Sequence, residues 1–181
     1  MPTTILLVRH GETDWNLERR VQGQTDRPLN DTGRRQAIEL ASALADESVD
    51  AVYSSDLVRA YETARILAQR KGLGVTVIPD LREKDFGTWE GFTDQEILSR
   101  FPDARGRPWG DAESNDDVAR RVVGALRRIA ESHPGGRVVV VAHGGPFRAV
   151  RAHCKSHRNG PIGNCEVLRV EIEDGTLREV H

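Results

Sequence analysis

Cysteine, lysine, aromatic residues and long apolar runs are all scarce in this chain of 181 residues. The two cysteines, Cys154 and Cys165, cannot build a disulfide framework, and no four-ligand zinc pattern surrounds them. A reducing cytoplasm is therefore the expected compartment. The opening segment MPTTILLVRH holds only a brief apolar stretch before Arg9, too short for a signal peptide or a membrane span, so no membrane partner is expected. Charge of one sign is missing too: 26 Lys+Arg against 28 Asp+Glu leave a formal net charge of −2. Nothing global advertises nucleic acid, and any anion-binding chemistry has to be local. Lysine occurs only at Lys71, Lys84 and Lys155, so nearly every cation is an arginine, whose planar fork suits tetrahedral oxyanions. What remains, 38% hydrophobic and 30% charged residues, fits one compact domain over residues 1–181.

Along the chain, strand and helix patterns alternate. Ile5 to Val8 form a wholly apolar run, as a strand buried on both faces requires. Gly11 to Asn30 are polar and rich in turn formers and read as a long functional loop. An amphipathic helix follows, with Ala37, Ile38, Leu40, Ala41, Leu44 and Ala45 on its apolar side. Val49 to Tyr53 alternate like a strand, and SSD is the expected N-cap of a helix running to about Lys71 with Arg59 in its first turn. GVTVIPD supplies another strand, closed by Pro79. Arg82 to Asp116 turn irregular around one short helix near Thr93 to Arg100. Ser114 then heads an S-x-x-D capping pattern for a helix to about Ser132, with Val118, Val122, Ala125, Leu126 and Ile129 inward. GGRVVVVAHGGP reads as strand, turn and helix start, and Cys165 to Ile172 with Thr176 to Val180 as a closing hairpin. The expected architecture is α/β: a three-layer α/β/α sandwich around a mostly parallel central sheet.

His10 follows ILLV and His143 follows VVVVA, each trailed at once by a glycine. In open α/β sheets those strand ends are the edge where sites form. Gly11 and Gly144 permit sharp turns that bring main-chain N–H groups near an oxyanion, and Pro146 puts His143 near a helix N-terminus. Arg59 and Arg9 add permanent cations to the same edge. Two arginines and two histidines crowded together call for a tetrahedral dianion to compensate them. Trp15, Phe86, Trp89 and Phe92 flank these residues and either wall a substrate pocket or anchor a loop. His153 and His157 have the i, i+4 spacing of a helical metal pair but no obvious third ligand, so no metal site is expected. The arginine pairs at 19–20, 34–35, 120–121 and 127–128 read as solvated faces.

The blocks LLVRHGETDWN, SSDLVRAYETA, LREKDFGTWEG and VVVVAHGGPFRAV, in this order and spacing, resemble the signature blocks of the histidine phosphatase superfamily, also called the phosphoglycerate mutase-like family. The resemblance covers nearly the whole chain. It implies that His10 is a nucleophile that becomes phosphohistidine, that Arg9, Arg59 and His143 bind the phosphoryl oxygens, and that Glu83 is the proton donor. It also implies that Asn16, Gln22 and Gly23 line the substrate pocket, with Gly144 beside them, and that no cofactor or metal takes part. By residue type alone Asp85 and Glu90 fit the acid role as well as Glu83. The segment WGDAES departs from phosphatase relatives, which often carry consecutive glycines before the glutamate and serine.

The function implied is metal-independent hydrolysis of a small phosphorylated metabolite. The alternative is mutase-type phosphotransfer, disfavoured because mutases resemble this chain at the core blocks but carry a longer, more basic segment after the proton donor. A non-catalytic phospholigand-binding protein is a third reading, disfavoured because every expected catalytic position is filled. The expected partner is the small phosphorylated metabolite, with a homodimer left open.

Overall fold

The structure, a computed structural model, describes residues 1–104, 112–157 and 160–180. Its strands β1 (Thr3–Arg9), β2 (Ala51–Ser54), β3 (Val75–Val77), β4 (Arg137–Ala142), β5 (Val167–Glu173) and β6 (Thr176–Val180) form one six-stranded sheet in the order β3-β2-β4-β1-β5-β6. β1 to β4 run parallel, while β5 and β6 add an antiparallel hairpin to one side. The expected three-layer arrangement and mostly parallel sheet are present.

Side chains alternate across the pleat, so one apolar strand feeds two cores. Ile5, Leu7, Val138 and Val140 face α5 (Asn115–Ser132) and α6 (Gly144–His153), packing against Val122, Leu126, Ile129, Phe147 and Val150. Leu6, Val8, Val139 and Val141 face α2 (Asp31–Ala43) and α3 (Val58–Lys71), packing against Ala41, Ala60, Ala64 and Leu67. This two-sided burial is why ILLV and VVVV contain no polar residue.

Pairing of β1 with β4 decides where the chemistry goes. Leu7 lies opposite Val140 and Arg9 opposite Ala142, and the His10 amide donates to the Ala142 carbonyl at 3.0 Å. Both strands therefore stop at one level and deliver His10 and His143 side by side.

Four local expectations need correction. The apolar stripe of α2 is narrower than its sequence suggests: Ala37, Ala41 and Leu44 are buried, but Ile38 is 55% exposed and Ala45 lies outside. The SSD segment does not cap α3, whose N-cap is Leu57. Ser55 Oγ instead accepts from the Leu57 amide, and Asp26 Oδ1, reaching over from the 11–30 loop, accepts from Val58 at 2.8 Å. That loop also holds a one-turn helix, α1 (Asp14–Leu17), closed by a reciprocal box between Thr13 and Asn16. At Ser114 only half of the capping pattern forms: its hydroxyl accepts from the Asp117 amide, while the Asp117 carboxylate turns to that hydroxyl and to Arg120.

Other elements follow their sequence closely. α5 ends at Ser132, and the short helix of the irregular region is α4 (Asp94–Arg100), capped by Thr93. Lys71 at the end of α3 donates to the carbonyls of Leu44, Ala45 and Glu47, tying down the end of α2 and the turn after it. Among the described residues no helix is long and apolar enough to cross a membrane.

The 11–30 loop is pressed against the start of α2. A Cβ added at Gly33 would lie 2.1 Å from the Glu12 carbonyl oxygen, whereas one added at Gly124, inside α5, meets nothing nearer than the mobile end of Arg128 at 3.5 Å. Gly33→Ala is therefore expected to destabilise the protein by about 1–3 kcal/mol, and Gly124→Ala to stabilise it by about 0.5–1 kcal/mol, both read by denaturant unfolding. Equal effects of the two would contradict this close backbone approach.

Candidate active site

Arg9, His10, Asn16, Gln22, Gly23, Arg59 and Glu83 line one cavity of about 690 Å³ at the carboxyl edge of the parallel strands. Lys84, Phe86, Gly145 and Arg148 extend its wall. Of the three acidic candidates in the LREKDFGTWEG block only Glu83 faces the cavity. Glu90 is taken up as a staple, accepting from the amides of Gln24, Thr25 and Phe86 and from the Thr25 hydroxyl. Asp85 accepts from the Gly87 amide.

His10 is 2% exposed, and its Nδ1 lies 2.6 Å from the Gly11 carbonyl oxygen. A carbonyl only accepts, so Nδ1 carries the proton and Nε2 keeps its lone pair. Burial pushes the His10 imidazole well below its ordinary pKa, Arg59 and Arg9 push it further down, and the Gly11 carbonyl only partly opposes them. His143 is fully buried, with its ring centroid 5.1 Å from that of His10 and the two planes 60° apart. Its Nε2 lies 2.9 Å from Ser55 Oγ, and its Nδ1 is buried with no partner among the described residues. Burial and then Arg59 hold this imidazole, too, well below the usual range.

Both central guanidiniums are anchored by carbonyls. Arg59, fully buried, donates to the carbonyls of Thr25 at 3.0 Å and Gly23 at 2.7 Å. Arg9 donates to the Ile162 carbonyl at 2.5 Å. The Nε of each is buried without a partner among the described residues. Their orientation is fixed while their charge stays available, an arrangement suited to holding an anion.

The amides are oriented as firmly. Asn16 Oδ1 accepts from the Thr13 amide at 3.1 Å and from Asn164 Nδ2 at 3.3 Å, and Gln22 Oε1 accepts from the Thr13 hydroxyl at 2.8 Å. With both oxygens engaged, the two NH₂ groups are what Asn16 and Gln22 can offer to the cavity.

Gly144 and His143 are both buried, and neither is among the residues that line the cavity, which meets Gly145 instead. The anion at the N-terminus of α6 is the Glu83 carboxylate: Oε1 accepts from the Gly145 amide at 2.9 Å and from the Lys84 amide at 2.8 Å. A Cβ at position 145 would fall 2.1 Å from that oxygen. The arginine pair 120–121 also splits. Arg121 is no solvated residue but donates to the carbonyls of Asp80, Arg82 and Glu83 and pairs with Glu113, bracing the segment that carries Glu83. Phe86 alone of the four flanking aromatics reaches the cavity. Trp89, 7% exposed, stacks on Phe101 as a loop anchor, and Trp15 and Phe92 lie under Arg27 and Arg100. Trp109, Gly110 and Asp111 of the WGDAES segment lie outside the described residues, as does His181. His153 stands exposed at the rim of the cavity and His157 is exposed beyond it.

Sequence reading missed Thr13, Ser55 and Asn164, whose partners are chosen by tertiary packing. It missed Lys84 and Arg148 as cavity residues because nothing in their local pattern separates them from surface cations.

The depressed histidines link folding to pH. Unfolded histidine titrates near 6.5, so as pH falls below that value the unfolded chain binds protons that folded His10 and His143 refuse. Above it both states are neutral there and the contribution is flat. Without phosphate, stability is expected to fall below pH 6.5 at up to about 1.4 kcal/mol per pH unit per histidine. The variant combining His10→Gln with His143→Gln should flatten that slope in denaturant titrations, and an unaltered slope would count against the assigned burial.

A family model described as histidine phosphatase superfamily (branch 1) matches residues 5–181. Phosphoglycerate mutase-like protein 4 of Arabidopsis thaliana is 42% identical over 94% of this chain and 80% of its own length. A metal-independent phosphoserine phosphatase of the same plant is 38% identical over 95% of this chain and 77% of its own. Among solved structures, mycobacterial glucosyl-3-phosphoglycerate phosphatase in complex with VO3 matches with a TM-score of 0.86 at 34% identity, covering 98% of this chain and 96% of that one. A variant of phosphoserine phosphatase from Entamoeba histolytica, in complex with phosphoserine, matches with a TM-score of 0.84 at 27% identity, covering 99% and 95%. Family match, shared fold and phosphatase relatives agree: the chain belongs to the histidine phosphatase superfamily and is a phosphatase.

Proposed function

We propose that the protein hydrolyses phosphate monoesters of small metabolites in two displacements, with His10 as nucleophile and Glu83 as proton donor. The observation that carries this reading is the lone pair of His10 Nε2, set free by the Nδ1 contact to Gly11 and flanked by Arg9 and Arg59 in the cavity that Glu83 also lines. A neutral imidazole attacks the phosphorus and the ester oxygen departs, leaving phosphohistidine; water then attacks the same phosphorus and the imidazole departs. Each step is easier than direct attack of water on the ester. Arg9, Arg59 and His143, with the NH₂ groups of Asn16 and Gln22, receive the charge that spreads over the equatorial oxygens.

A sugar or glycerate alkoxide is a strong base and needs a proton as it leaves. Glu83 supplies it, then takes one from the attacking water, held in place by Gly145 and Lys84 from the front and by Arg121 behind its backbone. Phosphoserine and glucosyl-3-phosphoglycerate, named for the relatives, are both monoesters of small hydroxylated carboxylates, and they indicate the size and class of leaving group this cavity is read as taking.

His10→Ala is expected to lower turnover on the order of 10³-fold or more and to abolish an acid-labile phosphoenzyme trapped from radiolabelled substrate. Unchanged turnover would reject the nucleophile. Glu83→Gln should cost about 10²–10⁴-fold with an alkyl phosphate but far less with p-nitrophenyl phosphate, whose leaving group scarcely needs a proton. Equal losses on the two substrates would remove Glu83 from the acid role.

A further inference from the structure

His143 can exist as two neutral tautomers, and the difference matters at a site for a phosphoryl dianion. With the proton on Nδ1 the nitrogen left unpartnered is a donor, which attracts the oxygens of an anion; with the proton on Nε2 it is a lone pair, which repels them.

Ser55 decides between them. Its hydroxyl is fully buried and has two hydrogen-bond neighbours among the described residues: the Leu57 amide, which donates to it at 3.2 Å, and His143 Nε2 at 2.9 Å. An amide can only donate, so the hydroxyl proton has one acceptor within reach, Nε2. If Nε2 itself carried a proton, both neighbours would be donors and the Ser55 hydroxyl hydrogen would be buried with nothing to receive it, at a desolvation cost that folded proteins avoid. We propose that Ser55 is a positioning residue that donates to Nε2 of His143 and so holds this imidazole with its proton on Nδ1, presenting a hydrogen-bond donor to the phosphoryl group.

The backbone makes the arrangement rigid. The Ser55 amide donates to the Val141 carbonyl, continuing the pairing of β2 with β4 past its last ladder residue, and Ser54 Oγ donates to the Ser55 carbonyl. Ser55 is thus fixed by its backbone to the strand that leads into His143, and by its hydroxyl to the turn that opens α3 and brings in Arg59. Burial and the nearby guanidiniums hold the His143 imidazole well below its ordinary pKa and so favour its neutral form, which is the condition under which the tautomer is a choice at all. Neither Ser55 nor His143 is in the lining of the cavity; His143 adjoins it through its ring contact with His10, and Ser55 acts through His143.

The donor function rests on the reading of His143 as a phosphoryl ligand, but the tautomer does not, and the two are tested apart. Two-bond ¹H–¹⁵N correlation spectra of the unliganded protein separate protonated from unprotonated ring nitrogens, and the His143 signals are identified by their loss in His143→Gln. The wild type is expected to show protonated Nδ1 and bare Nε2. Ser55→Ala should give a mixture or the opposite tautomer, and Ser55→Thr, which keeps the hydroxyl, should restore the original. A protonated Nε2 in the wild type, which needs no Ser55 variant to observe, overturns the proposal, as does a Ser55→Ala spectrum with the tautomer unchanged. Inorganic phosphate then tests the consequence: Ser55→Ala should weaken its binding roughly tenfold and Ser55→Thr far less. If the tautomer responds while phosphate affinity does not, the control by Ser55 stands and His143 is removed as a phosphoryl ligand.

Discussion

The register between the first and fourth strands is the constraint on which everything else rests. Because the His10 amide closes on the Ala142 carbonyl, the two strands end together, and the two imidazoles emerge in edge-to-face contact. A slip of one residue would turn His10 to the opposite face of the sheet and exchange the residues of both cores. That register is enforced by the alternation of Ile5, Leu6, Leu7 and Val8 between two helical layers, so the same side chains that stabilise the sandwich also align the candidate active site.

Around those imidazoles the polar groups are arranged by supports with a known direction. Backbone carbonyls fix Arg9, Arg59 and Nδ1 of His10; the Thr13 hydroxyl and amide fix the two cavity amides; the N-terminus of α6 receives Glu83. The supports engage the amide oxygens of Asn16 and Gln22 and Nδ1 of His10, which leaves two NH₂ groups and a bare Nε2. Little reorganisation is then left for the moment when a charge arrives, which is the condition for electrostatic stabilisation to be effective.

Strands and the placement of both histidines were legible because burial on two faces leaves an unmistakable run of apolar residues, and because a glycine marks each strand end. Arg59 was legible from its place in the first turn of a helix. The choice of Glu83 over Asp85 and Glu90 was not visible in local pattern and depended on family resemblance; in the structure all three hold backbone amides, and Glu83 is the one of them that also lines the cavity. Ser55, Asn164 and Arg121 were illegible for a common reason. Each acts on a residue far away in sequence, and a hydroxyl, an amide or a guanidinium carries no mark of the distant group it will meet. The same applies to Asp26, which caps α3 from another loop.

The carbonyl anchoring of Arg9 and Arg59 has a further consequence for how such an enzyme is used. Charges held open for a bound ester are equally open to orthophosphate once the ester is cleaved, since both present a tetrahedral oxyanion to the same forks. Under the proposed function, free phosphate competes for the resting enzyme, and hydrolysis throttles itself as its own product accumulates.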